Sequence, residues 1–220
     1  MNKPIFIVAL NLASAEKEAE FNDWYNNIHV PFLLEIPGII SAARYQAVVS
    51  EPGQAKYLAI YEFDNVLAIE PTLKSPQIAE ATEDLFKNWG PHLGEVKGIS
   101  LVYQPVGLST GQKPLLTLAA NIAKLENEFA FNSWYEQKHL PEMLAVPGVE
   151  SGACYHVLVA QEPEQAKYLT LYELESQESI DSVLSSPEFN LAKADYLTKI
   201  QDGTLTIPDS LGIAYIDFSN

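Results

Sequence analysis

The chain repeats itself at a spacing of 110 residues, and this repeat constrains the fold more than any other feature. Residues 21–45 align with residues 131–155, and 12 of the 25 aligned positions are identical. A period this long indicates two copies of a domain, because the repeats of solenoid proteins are typically about 20 to 50 residues long. The sequence therefore predicts two similar halves, residues 1–107 and residues 112–220.

Each half has the same order of predicted elements, recognised from apolar periodicity, β-branched runs and turn residues. In the first half these are a strand at 4–11, a helix from Ser14 to about Ile28, strands at 39–50 and 55–63, a helix from Ser75 to Trp89, and a strand at about 97–104. The order βαββαβ is typical of a ferredoxin-like α+β fold, in which both helices cover one face of a four-stranded antiparallel sheet.

The other face of each sheet also needs to be covered. The predicted strands are apolar on both faces, as in FIVAL and YLAIY, so a single half would expose a large apolar patch. Two halves in one chain can bury these faces against each other. We therefore expect a pseudo-symmetric α+β barrel within one chain, with a central space for side chains or a ligand.

Charge and hydrophobicity exclude several classes of partner. With 29 acidic and 13 basic residues, the formal net charge is −16, which repels nucleic acid and anionic membrane surfaces. No apolar run approaches the roughly 20 residues that a membrane span needs, and the first residues lack a signal-peptide pattern. We therefore expect a cytoplasmic protein with neither nucleic acid nor membrane as a partner.

Cysteine and motif content narrow the chemistry further. Cys154 is the single cysteine, which excludes an intramolecular disulfide and a cysteine-based zinc site within one chain. We expect it to be a small buried apolar residue. The usual motifs of nucleotide-binding proteins, zinc proteases and serine hydrolases do not occur.

A polar line on the first predicted helix provides the candidate catalytic residues. Helical spacing aligns a carboxylate, an amide, a phenol and an imidazole, and the second half repeats them. The two sets are Glu18, Asn22, Tyr25 and His29, and Glu128, Asn132, Tyr135 and His139. Such a set could transfer a proton through histidine and orient an oxyanion through tyrosine and asparagine. Alternatively, each histidine caps the end of a helix just before x-Pro and only braces it.

Strand tyrosines form a second candidate set. Tyr45 corresponds to Tyr155, and Tyr61 corresponds to Tyr172. Tyr57 shares a sheet face with Tyr61, because residues four apart on a strand point the same way. If that face lines the barrel interior, it forms an aromatic wall for a ligand. The alternative is ordinary cross-strand aromatic packing.

The two halves are not identical at these positions. Arg44 aligns with Cys154, and Gln46 aligns with His156. Such divergence indicates either that one half keeps a working site or that one composite site draws on both halves. No ligand spacing supports a metal site made from His29, His139 and carboxylates, and we expect none.

The repeated pattern WYxxxHxPxxLxxPGxxxxxxY resembles the EthD-like proteins of the dimeric α+β barrel superfamily. The residues that carry the resemblance are Trp24, Tyr25, His29, Pro31, Leu34, Pro37, Gly38 and Tyr45, with Trp134, Tyr135, His139, Pro141, Leu144, Pro147, Gly148 and Tyr155 in the second half. In that superfamily two chains usually pair sheet to sheet, so this chain looks like a fused dimer. Known members include small-molecule monooxygenases, polyketide cyclases and haem-degrading enzymes. The resemblance implies that His29 and His139 line a pocket.

These observations together predict a protein that binds a small apolar or aromatic molecule without an organic cofactor. Its reaction would be proton transfer by His29 or His139 at a carbonyl or phenolate. The substrate would be held by Asn22, Tyr25, Tyr45, Tyr61, Asn132, Tyr135, Tyr155 and Tyr172. The alternatives are a non-catalytic carrier or a structural barrel module, with haem binding the least favoured. The sequence leaves open whether the intrachain pseudo-dimer is a monomer or pairs with a second chain.

Overall fold

The computed structural model describes residues 3–49, 51–99, 101–106, 112–160, 162, 164–208, 210–211 and 214–217. Its first half contains β1 Ile5–Leu12, α1 Glu18–Trp24, α2 Val30–Leu34, β2 Ile39–Ala47, β3 Tyr57–Phe63, α3 Val66–Leu73, α4 Pro76–Trp89, β4 Leu93–Gly94 and β5 Val102–Pro105. Its second half contains β6 Leu115–Ile122, α5 Glu128–Trp134, α6 Leu140–Leu144, β7 Val149–Val159, β8 Tyr168–Leu174, α7 Ile180–Ser185, α8 Pro187–Gln201, β9 Leu205–Thr206 and β10 Ala214–Asp217. The boundary predicted between the two halves falls on 107–111, outside the described residues.

Eight of these strands close into one antiparallel barrel. Around the barrel the order is β1, β3, β2, β5, β6, β8, β7 and β10, and β10 pairs back onto β1. The halves meet at two seams, one between β5 and β6 and the other between β10 and β1. The predicted α+β fold, an intrachain barrel made from two ferredoxin-like halves, is therefore confirmed. The short strands β4 and β9 extend the edges of β1 and β6.

Side chains fill the barrel interior. Alternate residues of every long strand point inward and form one apolar cluster, because successive strand residues face opposite sides. The cluster includes Ile5, Ile7, Tyr45, Leu58, Ile60, Tyr103, Leu115, Tyr155, Leu169, Leu171 and Tyr215. What remains of the expected central space is a cavity of about 220 Å³ at one mouth, bordered by Tyr45, Tyr155, Glu62 and Glu173.

The helices cover the outside of the barrel, and the first helix of each half is longer than predicted. A π-helical turn at Tyr25–His29 joins α1 to α2, and Val30 N–H bonds to the carbonyl of Tyr25. Proline normally disrupts a helix because it lacks an N–H and clashes with the carbonyl four residues earlier. The wider π turn lets the helix continue through Pro31 to Leu34. The prediction that the helix ends near Ile28 with a capping histidine is therefore wrong.

The second half repeats this geometry with a π turn at Tyr135–His139 and continuation through Pro141. Two short helices, α3 and α7, were not predicted, and the predicted strand at 97–104 is confirmed only at its end, where β5 begins at Val102. Helix α4 begins as predicted, where the Ser75 hydroxyl accepts a hydrogen bond from Ile78 N–H. Among the described helices, none has the length and apolar character needed to cross a membrane.

Candidate functional site

The strand tyrosines lie on two different sides of the sheet. Tyr45 and Tyr155 point into the barrel, whereas Tyr61 and Tyr172 point outward beneath the helices. Tyr57 also lies on the helix side, so the proposed aromatic wall inside the barrel is wrong for the Tyr57 and Tyr61 face. The period-2 pattern identified which residues share a face but carried no information on which face is interior. The eight predicted substrate-binding residues therefore do not meet in one place.

A buried arginine occupies the centre of the helix–sheet layer in the first half. Arg44 is 4% exposed and donates hydrogen bonds to Asn26 Oδ1 at 2.6 Å and to Asn22 Oδ1 at 2.9 Å. Its guanidinium carbon lies 4.2 Å from the centre of the Tyr25 ring. Such a cation–π contact partly offsets the cost of burying the charge. Arg44 thus fastens the first helix to β2.

The predicted polar line of the first helix is used mainly in contacts with the sheet. Tyr57 OH donates a hydrogen bond to Glu18, and Asn22 Nδ2 donates to Tyr57 OH at 3.1 Å. Lys56 Nζ lies 2.6 Å from Glu18. Tyr25 is completely buried, and Tyr61 OH donates to it at 3.3 Å. Burial raises the pKa of both phenols, so both stay neutral.

The second half replaces the buried cation with a network of hydroxyls. Cys154 stands where the first half has Arg44, and it is buried as predicted. Tyr135 OH lies 2.8 Å from Thr170 Oγ1 and 2.9 Å from Tyr172 OH. The carbonyl oxygen of Asn132 is buried without a hydrogen-bond partner among the described residues. The arginine that would donate to it is missing from this half.

The two candidate catalytic histidines are buried in nearly the same way. His29 is 6% exposed and His139 is 1% exposed, and both lie in π turns. Their rings stack on Trp24 and Trp134, with centroid separations of 4.8 Å and 4.9 Å. Burial lowers the pKa of each imidazole to about 4, although a nearby aspartate opposes the shift. Both rings are therefore neutral near pH 7.

The first histidine borders a depression on the protein surface. This depression, which we call the His29 groove, has a volume of about 260 Å³ and runs between α2 and α4. It is lined by Ile28, His29, Phe32, Glu80, Ala81, Glu83, Asp84 and Lys87. A larger apolar depression of about 1080 Å³ lies beside β1 and α3 and includes none of the predicted site residues.

Two features of the candidate site were missed by sequence reasoning. Arg44 looked like an ordinary alternating strand residue, and nothing nearby in the sequence marked it as buried. Glu142 follows His139 by three residues, which places both on one helix face. A helix that is predicted to end before Pro141 does not include Glu142, so the spacing alone does not predict that it lies beside His139.

Comparisons with known proteins agree with the barrel architecture. Residues 118–204 match a family described as a domain of unknown function, DUF4286. No curated protein matches the chain. An anthrone oxidase-like protein matches with a TM-score of 0.61 at 12% identity, covering 98% of this chain and 92% of the other.

Two further solved structures are similar to this chain, one over nearly its full length and the other over about half of it. A candidate monooxygenase from Fusobacterium nucleatum matches with a TM-score of 0.52 at 12% identity, covering 98% of this chain and 97% of its own. An EthD family protein from Bacillus halodurans matches at 20% identity with a TM-score of 0.34, covering 49% of this chain and 100% of its own. The matches over the full length show that both halves together share the fold of the anthrone oxidase-like protein and the candidate monooxygenase.

Proposed function

We propose that the first half binds a small apolar or aromatic molecule that carries a hydrogen-bond donor, in the His29 groove. The observation that carries this proposal is the position of His29, a candidate catalytic residue that borders a depression of about 260 Å³. That volume is near the lower end of the range for small-molecule pockets, about 300–1,000 Å³. A single aromatic ring with a short substituent fits this size.

The walls of the groove favour a particular ligand chemistry. Ile28, Phe32 and Ala81 supply apolar contacts for a ring, while Glu80, Glu83 and Asp84 supply carboxylates. A neutral imidazole presents one nitrogen as an acceptor, and carboxylates accept but cannot donate. The groove therefore suits a ligand with an O–H or N–H group, either neutral or positively charged, and disfavours anions.

The low pKa of His29 supports ligand binding more directly than it supports catalytic turnover. A general base works best when its pKa lies near the working pH. Burial lowers the pKa of His29 to about 4, so its imidazole is free to accept a proton but does so weakly. Proton transfer would therefore be confined to ligands with an acidic proton, such as an activated phenol.

The structural alternative is favoured in the second half. There Tyr135 OH is hydrogen-bonded to both Thr170 and Tyr172 in a buried network. Such a network rigidifies the layer between helix and sheet. We therefore assign binding of the small organic molecule to the first half alone.

A matched pair of ligands tests the proposal. 4-Methylphenol and its methyl ether have the same ring, but the ether lacks the donor. In an NMR titration of the full chain we expect the phenol to bind about 3- to 10-fold more tightly, the value of one hydrogen bond. Tyramine, whose ammonium group can meet the carboxylates, should bind more tightly than either.

Two variants locate the site. His29→Phe should abolish the difference between the phenol and its ether, because phenylalanine offers no acceptor. His139→Phe makes the same change in the second half and should leave the difference intact. Equal affinity of the two ligands for the unmodified chain, or loss of the difference in both variants, would contradict the proposal.

A further inference from the structure

We propose that the second half contains a divalent transition-metal site, formed by His139, Glu142 and Asp195. One ligand atom from each of these residues lies within 4.8 Å of the other two. His139 belongs to the π turn, Glu142 to α6 and Asp195 to α8, so the site would join the first and last helices of this half. One imidazole and two carboxylates match the ligands that Zn²⁺ accepts in proteins.

Unpartnered buried atoms point independently to a missing ligand. Both ring nitrogens of His139 are buried and have no hydrogen-bond partner among the described residues. Oxygen Oε2 of Glu142 is in the same condition. Buried polar atoms are normally paired, since leaving one unsatisfied costs about 1–3 kcal/mol. A metal ion would satisfy one ring nitrogen of His139 and Glu142 Oε2 at once.

The surroundings of Asp195 also suit a cation. Its carboxylate already accepts hydrogen bonds from the Lys138 ammonium group and from the Trp134 indole N–H. The side chain of Asp195 is 25% exposed, which gives an ion a path from solvent.

The first half is a natural comparison because it retains only part of this set. Asp84 aligns with Asp195, and His29 aligns with His139. Phe32 stands where the second half has Glu142. The first half therefore has two of the three ligands and a phenyl ring in place of the third.

Small movements would complete the site. Zinc binds nitrogen and oxygen at about 2.0–2.2 Å, which places ligand atoms about 3.4 Å apart in a tetrahedral site. The three ligand atoms must therefore approach by roughly an ångström. Trp134 Nε1 holds Asp195 Oδ2 at 2.8 Å, so the movement would come mainly from Glu142.

A lysine competes for the same carboxylate. Lys138 Nζ lies 2.9 Å from Asp195 Oδ1, and the lysine side chain is 50% exposed. An incoming metal ion must displace this ammonium group, which can move into solvent. The first half has Ile28 at the equivalent position, so Lys138→Ile removes the competitor with a residue that the other half tolerates.

Zinc binding to the untagged full chain tests the proposal. The affinity would be measured by competition with a chromophoric chelator in about 150 mM salt, which weakens non-specific attraction to the acidic surface. We expect one Zn²⁺ per chain, with no displacement by millimolar Mg²⁺, which prefers oxygen ligands. Lys138→Ile should tighten binding about 10-fold, since it removes a competing charge close to Asp195.

Variants that each remove one metal-ligating side chain decide whether the proposed zinc site exists. Glu142→Gln, at a partly exposed position, and His139→Phe should each weaken binding by about 100-fold or more, beyond the 10- to 100-fold typical of outer-shell changes. His29→Phe should leave the affinity unchanged, and Phe32→Glu should add a second zinc ion in the first half. The proposal is overturned if no Zn²⁺ binds at 100 µM, or if it binds equally well to Glu142→Gln.

Discussion

The two halves bury the same histidine in the same way but surround it with different chemistry. His29 and His139 both lie in a π turn, and both stack on a tryptophan. Beside His29 the third position along the helix is Phe32, which lines an apolar groove. Beside His139 the same position is Glu142, whose carboxylate completes a cluster with Asp195. The duplication thus preserved the buried imidazole and changed its neighbour.

The layer between helix and sheet shows a second difference of the same kind. In the first half Arg44 donates to Asn22, and in the second half Cys154 leaves Asn132 without that donor. The asparagine is present in both halves, although only the first half has the arginine that donates to it.

Acid titration should produce the largest effect, and it tests whether the two histidines are equally buried. The pKa of each is about 4 in the folded chain, below the usual 6.5. The unfolded chain therefore takes up protons first, so stability is greatest above pH 6.5 and falls as the pH drops towards 4. At 1.36 kcal/mol per pH unit, each histidine should cost roughly 3 kcal/mol across this window.

Urea unfolding at several pH values between 7 and 4 measures this loss. His29→Phe and His139→Phe should each remove about half of the slope between pH 6.5 and 5.5, where the 29 acidic side chains stay largely ionised. A slope that only one variant reduces would mean that the halves bury their histidines differently.

The next largest effect should come from two matched glycines that follow α2 and α6. Gly38 has φ +101° and Gly148 has φ +91°, a region that favours glycine. An added Cβ would lie 2.4 Å from Thr72 Oγ1 at Gly38 and 2.8 Å from Val183 Cγ2 at Gly148. Substitution by alanine should cost roughly 2–5 kcal/mol at each site, because backbone strain and overpacking add.

Chemical denaturation would show whether Gly38→Ala is the more costly of the two. The closer contact predicts this order, and Thr72 would also lose its hydrogen bond to the carbonyl of Pro37. The reverse order would show that the second turn is the more rigid one.

The smallest effect distinguishes the two buried phenols. Tyr135→Phe removes a hydroxyl bonded to Thr170 and Tyr172 and should cost about 1–2 kcal/mol. Tyr25→Phe removes a hydroxyl whose bond to Tyr61 is 3.3 Å long, and should cost roughly 0.5 kcal/mol. Thermal unfolding of both variants measures the difference, and equal losses would contradict the view that only the second half is closed by a hydroxyl network.

Much of the fold could be predicted because the repeat and the apolar strands act over long stretches of sequence. The pairing of segments 110 residues apart showed two halves, and strands apolar on both faces required them to pack together. The helix ends could not be predicted in the same way. The usual rule that a helix stops before proline fails at Pro31 and Pro141, because a π turn accommodates the ring.

The candidate site was less predictable because it depends on contacts between distant segments. Helical spacing placed Asn22 and Tyr25 together, but it carried no sign that Arg44 lies over the Tyr25 ring. In the same way, Asp195 follows Glu142 by 53 residues, and only the packing of α6 against α8 brings them together. Local periodicity in the sequence does not predict such contacts between distant segments.

The central claim is that the two histidines, alike in burial, serve different ligands. The most direct measurement is the ¹H–¹⁵N NMR spectrum of the imidazole nitrogens, assigned with His29→Phe and His139→Phe and recorded during separate titrations with tyramine and Zn²⁺. We predict that tyramine shifts the nitrogens of His29 alone and that zinc shifts those of His139 alone. Zinc and tyramine signals on the same histidine, or no response from either ring, would contradict the account.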